Sequence, residues 1–316
     1  MISVIVPAYN GEKTIGRCLS ALMEQSKRPD EIIVVDDGSA DKTADAIKKF
    51  KGVTLIKQDH NGPAAARNIG AKKARGELLL FTDMDCVPDR EWVAEMIRPF
   101  EKREIAGVQG RYKTVQNGIV ARFVQFEIED RYDRMRKREG IDFIGSYSAG
   151  YRRDVFLKFG GFDDSFRMAS GEDPEISFKL DAAGQKMVFA EKAVVYHDHV
   201  DSIGAYLRQK FWRAYWRVLL YKKHPNKIAG ESYTPQMLKI QILLFGTLLA
   251  SMVLTLFSVQ YLTFFAVSTL LLFGSTLPLT FKNIRKSFIA GLITPFISVM
   301  RTMVFVLGLA CGALKL

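Results

Sequence analysis

Residues 77–85 read Glu77-Leu78-Leu79-Leu80-Phe81-Thr82-Asp83-Met84-Asp85, a short apolar run that stops abruptly in two carboxylates. Leu78 to Phe81 have the length and composition of a strand covered on both faces, the kind found in parallel sheets. In extended chain, residues i and i+2 project to the same side, so Asp83 and Asp85 present paired oxygens where the strand ends. Hard oxygen donors of this kind suit Mg or Mn, and a divalent ion so held can in turn hold a diphosphate. An isolated DxD triplet is a weak signal, and its weight comes from what surrounds it.

Upstream, short runs rich in Val and Ile predict strands at Ser3 to Pro7, Glu31 to Val35 and Val53 to Lys57. Helical patterns separate them at about Thr14 to Gln25, Lys42 to Phe50 and Pro63 to Arg75. Strands alternating with helices of this length predict an α/β fold, a mostly parallel sheet with helices on both faces. Ligands of such sheets sit at the carboxyl ends of the strands. Polar residues gather at those ends: Pro7-Ala8-Tyr9-Asn10, Asp36-Asp37-Gly38-Ser39 and Thr82-Asp83-Met84-Asp85. Any one of them has an ordinary use, and Asp37-Gly38-Ser39 alone would serve as a turn and helix cap. Neither GxGxxG after the first strand nor GxxxxGK[ST] occurs, which disfavours a dinucleotide site and a P-loop.

The 316 residues carry a net charge of +11, unevenly spread. Charged residues occur throughout Met1 to Lys239, yet Ile240 to Phe281 contains none. About 20 apolar residues cross a bilayer as a helix, so this run has room for two antiparallel spans, at about 240–259 and 262–281. Lys239 at one end and Lys282, Arg285 and Lys286 at the other predict a multi-pass membrane protein with its N-terminal domain on the cytoplasmic side. A third apolar run, 288–314, holds Pro295 and the costly Arg301, and whether it spans, re-enters or lies in the interface stays open. The start MISVIVPAYN has no basic stretch ahead of its apolar run, so it reads as a first strand and not a signal peptide. Three cysteines, Cys18, Cys86 and Cys311, without metal-ligand spacing suit a reducing compartment. Much of the positive excess lies within Tyr206 to Lys227 and just after the apolar hairpin, which points to anionic lipid headgroups in place of nucleic acid. The expected organisation is a catalytic domain over 1–202, a basic and aromatic interface region over 203–235, and a transmembrane region over 236–316.

The motifs SVIVPAYN, VVDDGSADKT, GPAAARNIGAKKARGELLLFTDMDC, GGFDDSF and GEDPEISFKLDAAG, in this order, resemble family 2 glycosyltransferases across about residues 2–215. That resemblance implies a GT-A fold, with a Rossmann-like nucleotide-binding sheet, and inverting transfer from a UDP- or GDP-linked sugar. It implies further that Pro7, Ala8 and Tyr9 flank the nucleotide base and that Asp37 accepts a hydrogen bond from it. Arg67 would reach the nucleotide or its phosphates, Asp83 the ribose or the metal, and Asp85 the metal directly. His197, which follows the apolar run Ala193 to Tyr196, is the expected third metal ligand, with His199 as the alternative. Asp173 in Gly171-Glu172-Asp173 is the expected general base and Glu172 the runner-up. Each has a plainer reading: Arg67 as a surface helix arginine, Glu172 and Asp173 as acids in the first turn of a helix over Pro174 to Ala183. Processive relatives carry Gln-x-x-Arg-Trp, whereas Gln209-Lys210-Phe211-Trp212-Arg213 exchanges the last two, which favours addition of one sugar.

From Ile203 to Tyr221, helical phasing lines up Leu207, Phe211, Ala214, Val218 and Tyr221, with Lys210, Arg213 and Arg217 on the adjoining face. This describes an interfacial helix, or else an amphipathic helix packed on the sheet. A polyprenyl phosphate or lipid-linked saccharide would meet Arg208, Arg213 or Arg217 with its phosphate, and a membrane glycolipid is the next candidate acceptor. Two other function classes compete. A metal-dependent nucleotidyltransferase would carry a Gly-rich basic loop after the first strand, where this chain has Tyr9-Asn10-Gly11-Glu12. A non-catalytic scaffold binding nucleotide-sugar would have no need of both DMD and GED.

Overall fold

All seven residues of strand β1 (Ile2–Ala8) are buried, because parallel neighbours flank the strand and helices cover both faces of the sheet. The computed structural model describes residues 1–166, 170–232 and 234–315. The chain forms two compact units, one of residues 1–115 and 128–198, the other of residues 116–127 and 199–316.

In the first unit the strands are β1, β2 (Glu31–Asp36), β3 (Val53–Lys57), β4 (Leu78–Thr82), β5 (Cys86–Pro88), β6 (Ile105–Lys113), β7 (Ser148–Arg152) and β8 (Lys186–His197). They form one sheet in the order β3-β2-β1-β4-β7-β6-β8-β5. The first four pair in parallel, β7 runs antiparallel to β4 and β6, and β8 runs parallel to β6 and antiparallel to β5. The expected mostly parallel α/β sheet is thus present, with each predicted strand within one residue of its observed ends.

The helices of this unit are α1 (Ile15–Met23), α2 (Thr43–Lys48), α3 (Pro63–Lys73), α4 (Trp92–Ile97), α5 (Ile119–Arg136), α6 (Arg153–Lys158) and α7 (Glu172–Ala182). Only the second half of α5 belongs to it. Ile15, Cys18, Leu19 and Leu22 give α1 its buried stripe at helical spacing. Helix α3 lies close on β1 because residue 70 is glycine: a Cβ there would overlap the Ile5 side chain. That approach carries Arg67, one turn earlier, over the carboxyl end of the sheet.

The second unit contains α8 (Ile203–Lys223), α9 (Lys227–Gly230), α10 (Gln236–Leu254), α11 (Tyr261–Gly274), α12 (Leu277–Ile284) and α13 (Phe288–Lys315). Three helical stretches, Gln236–Leu254, Tyr261–Ile284 and Phe288–Lys315, are long and apolar enough to cross a membrane. The first starts and ends a few residues before the expected 240–259. The third run, left open by the sequence, is one helix passing through Pro295.

Arg301 lies in the middle of that helix and is 3% exposed. Its guanidinium donates to Glu127 of α5 and to Gln241 of α10, the latter at 2.7 Å. Glu127 also receives Lys210 of α8 at 2.6 Å. Burial pushes the Glu127 carboxyl up, but Lys210 and Arg301 outweigh it and hold the group at about 2. For Lys210, burial draws the ammonium down, Glu127 opposes this, Arg213 and Arg301 add to it, and the group settles at about 8. One carboxylate therefore answers two cations from two other helices.

Helix α8 packs along α13 through two glycines one helical turn apart. A Cβ at Gly308 would overlap the Phe211 carbonyl oxygen, and one at Gly312 the Tyr215 carbonyl oxygen. The expected interfacial helix therefore has a packed face against α13. Gly308→Leu is expected to cost about 1–3 kcal/mol, the usual penalty for overpacking a close contact. Thermal unfolding of the detergent-solubilised protein measures it, and an unchanged midpoint would show that the two helices do not hold this register.

Candidate active site

The chain turns sharply after β4, with the Cys86 N–H donating to the Asp83 carbonyl at 3.0 Å. This turn gathers carboxylate oxygens of Asp83 and Asp85 and the Cys86 sulfur within 4.8 Å of one another. Strand β5 then pairs with the end of β8, setting Cys86 opposite His197. His197 Nε2 lies 3.4 Å from Asp85 Oδ2. Burial would push the Asp85 carboxyl up, but the hydrogen bond and charge of His197 outweigh it and hold the group below the usual carboxylate range. The side chain of Asp85 is still 46% exposed. Burial raises the Cys86 thiol well above its ordinary value, so it stays protonated at neutral pH. Of the gathered donors the two carboxylates fit a hard divalent cation such as Mg or Mn, and the His197 imidazole stands outside that group, beside Asp85. His199, the alternative ligand, is buried, with its Nε2 2.8 Å from Gln125 Oε1.

Arg67 is 3% exposed, so it is no surface helix arginine. Its Nη2 donates to Asp83 Oδ1 at 2.7 Å and its Nη1 to Glu172 Oε1 at 3.3 Å. Burial would draw the guanidinium down, and the charges of Asp83, Asp173 and Glu172 overcome it and keep the group protonated. Where the resemblance implied contact with a nucleotide, the structure turns Arg67 onto two of the site's own carboxylates.

Glu172 and Asp173 open α7 and have different surroundings. Glu172 accepts the N–H groups of Ser170 and Gly171 at 2.9 and 3.0 Å with Oε2 while Oε1 meets Arg67. Asp173 accepts the Ser146 N–H at 3.0 Å with Oδ2. Its Oδ1 has no hydrogen-bond partner among the described residues. Burial first, and then the charge of Glu172, push the Asp173 carboxyl up to about 7, although Arg67 opposes them. Of the two acids, Asp173 has the oxygen free to take a proton.

At the β1 tip, Pro7 and Ala8 are buried and Tyr9 is exposed. The Tyr9 ring stacks on His60 with centroids 4.1 Å apart. Asp37 is 2% exposed and accepts the N–H groups of Asn61 at 2.8 Å and Gly62 at 2.9 Å. Gln58 and His60 also meet its carboxylate. Asp37 thus braces the loop 58–62, which holds His60 against Tyr9. A cavity of about 720 Å³ opens beside this loop, lined by Gln58, His60, Asn61, Asn68 and Lys72 among others. Sequence reading missed Gln58, His60, Asn61 and Ser146; their place directly after a strand, or next to a buried turn, was the available signal.

Of the three arginines expected to meet an acceptor phosphate, Arg208 is exposed and Arg213 half-buried, and neither has an ion pair among the described residues. Arg217 is different: it is 5% exposed and donates to Glu231 at 3.4 Å and also to Thr234. Burial and this pairing leave Arg217 unsuited to a phosphate.

Residues 3–160 match the family described as Glycosyl transferase family 2. The chain belongs to that family. This glycosyltransferase is 29% identical over 221 residues to glycosyltransferase AglE of Haloferax volcanii, covering 66% of this chain and 70% of the relative. It is 31% identical over 149 residues to the UDP-Glc:alpha-D-GlcNAc-diphosphoundecaprenol beta-1,3-glucosyltransferase WfgD of Escherichia coli, covering 45% of this chain and 57% of that one. Alignments with other curated relatives span about half to two thirds of their length. The mannosyltransferase PcManGT from Pyrobaculum calidifontis, solved with GDP-Man and Mn2+, shares the fold with a TM-score of 0.65 at 20% identity, over 99% of this chain and 87% of that chain. The sheet is of the GT-A type, and family membership replaces the nucleotidyltransferase and scaffold readings.

Arg67→Met would strand Asp83 and Glu172 without a countercharge and is expected to cost about 3–5 kcal/mol, the range for breaking a buried ion pair from one side. Adding Glu172→Gln should recover part of the loss. Chemical denaturation measures both variants, and a single variant as stable as the wild type would remove Arg67 from its bridging role.

Proposed function

We propose that this glycosyltransferase moves one sugar, with inversion, from a UDP- or GDP-linked donor to a lipid-linked acceptor at a membrane crossed by its three apolar helices. The observation that carries the chemistry is the Asp173 carboxylate, fixed through one oxygen by the Ser146 N–H and with its other oxygen buried and without a hydrogen-bond partner among the described residues. An acceptor oxygen attacks the anomeric carbon from the face opposite the nucleotide diphosphate. As the new C–O bond forms, the old one breaks and its electron pair leaves on the diphosphate oxygen. The proton of the acceptor hydroxyl goes to Asp173 Oδ1. A carboxyl near 7 is partly ionised at neutral pH and still basic enough to accept it.

Asp83, Asp85 and His197 would hold a divalent cation, Mg or Mn, which offsets charge on the leaving diphosphate. Arg67 holds Asp83 and Glu172 in place and keeps Glu172 occupied. Tyr9 offers an exposed ring at the β1 tip to a nucleobase, beside the cavity under loop 58–62.

The acceptor reading draws support from three apolar helices, from the diphosphoundecaprenol-linked substrate in WfgD's name, and from Arg208 and Arg213, which have no ion pair among the described residues. Lys239, Lys282, Arg285 and Lys286 favour a cytoplasmic catalytic unit. The residues 1–202, 203–235 and 236–316 then serve as catalytic, acceptor-meeting and membrane-crossing parts.

Asp173→Asn should keep near-normal donor affinity and lose roughly 100-fold or more in turnover, the scale of a lost general base. Because the base must be ionised, wild-type kcat/KM should climb with pH through about 7 and level off above it, and the Asn variant should lose this limb. Steady-state kinetics test both; turnover that survives Asp173→Asn but not Glu172→Gln moves the base to Glu172.

Arg208→Ala with Arg213→Ala should raise KM for a lipid-phosphate acceptor and leave a soluble, phosphate-free acceptor analogue unaffected. Parallel assays with the two acceptors decide it, and equal KM values for wild type and double variant on the lipid would end the phosphate assignment.

A further inference from the structure

We infer that Tyr112 is a positioning residue for the imidazole of His197, an inference that rests on the reading of His197 as a metal ligand. Tyr112 lies near the end of β6, which runs parallel beside β8 with Tyr112 opposite Val195. His197 is two residues further along β8, on the same side of the strand as Val195. The Tyr112 ring meets the imidazole with centroids 4.8 Å apart and planes inclined by 31°. The imidazole in turn directs Nε2 at Asp85, 3.4 Å away. Rotation of the imidazole away from Asp85 is limited by this aromatic contact, and ligating histidines depend on such outer partners for their orientation.

Tyr112 is itself braced. Its ring lies parallel to Tyr147, with centroids 3.6 Å apart and planes 12° apart. Its N–H donates to Tyr132 Oη at 2.8 Å, and that oxygen shares a hydrogen bond of 2.8 Å with Tyr147 Oη. Arg131 adds a contact of 3.4 Å to Tyr147 Oη. These bonds close a loop: backbone of Tyr112 to Tyr132, Tyr132 to Tyr147, and Tyr147 back to the ring of Tyr112. The Tyr112 hydroxyl lies 3.9 Å from the sulfur of Cys86, the residue that follows Asp85. Tyr132 and Tyr147 are 1% and 8% exposed, so the brace is a buried platform that the transfer chemistry does not otherwise use.

The test titrates Mn2+ alone into the full-length protein in detergent and reads free Mn2+ by electron paramagnetic resonance. His197→Ala sets the size of the ligand's contribution. Tyr112→Leu and Tyr112→Met, which fill the space without a ring, should each weaken Mn2+ binding about tenfold, the lower end of the loss expected for an orienting partner. Tyr112→Phe keeps the ring and should bind like the wild type. Far-UV circular dichroism at the titration temperature confirms that the variants compared are folded. Should His197→Ala weaken binding while neither ring-less variant does, the positioning role is overturned and the ligand reading stands. Should Tyr112→Phe weaken it as much as Tyr112→Leu, the hydroxyl and not the ring acts, and the stacking role is overturned. If His197→Ala binds Mn2+ as tightly as the wild type, the ligand reading fails and the inference with it.

Discussion

The guanidinium of Arg67 ties the carboxyl end of β4 to the first turn of α7. Glu172 is 2% exposed and Asp83 is half-buried, and a planar group with donors fixed in a fork meets both at once. The geometry depends on Gly70, which lets α3 lie on β1 closely enough to bring Arg67 over the strand ends. By occupying Glu172, the bridge also separates two adjacent acids into different roles. One becomes part of the frame, with Ser170, Gly171 and Arg67 around it; the other keeps a free oxygen.

The alternation of Val- and Ile-rich runs with helical stretches was legible because β1, β2 and β4 are buried on both faces and so are mostly apolar, while β3, at the sheet edge and only half-buried, still carries Val53, Leu55 and Ile56. The acidic tip was legible for the opposite reason, since Asp83 and Asp85 break that pattern where the chain leaves the core. Arg67 was harder. A cation in a helix with lysines at its end looks solvated, and only partners far along the chain, 105 residues away for Glu172, turn it inward. The loop at Gln58 to Gly62 was missed because its role is to receive Asp37, and hydrogen bonds to backbone N–H groups leave no mark on side-chain spacing.

Arg301 posed the same difficulty in an apolar setting. Its cost in a helix able to cross a membrane is visible from sequence, whereas the remedy comes from Glu127, on a helix that sequence reading had not marked, and from Gln241. Arg217 was hard to read likewise: Arg213 and Arg217 lie on one helical face and look equivalent, yet Arg217 is buried against Glu231 and Thr234 while Arg213 is half-buried.

The glycine contacts between α8 and α13 have a mechanical consequence. At Gly308 and Gly312 one helix comes against the backbone carbonyls of the other, with only the short Ala214 and Val218 side chains beside them. A slide of one residue would drive the Leu309 side chain into the space that Gly308 leaves for the Phe211 carbonyl. Side chains elsewhere absorb small shears by changing rotamer, but backbone against backbone has no such slack. A step of a whole turn would bring Val304 into the place of Gly308, so the crossing resists sliding of α13 along α8.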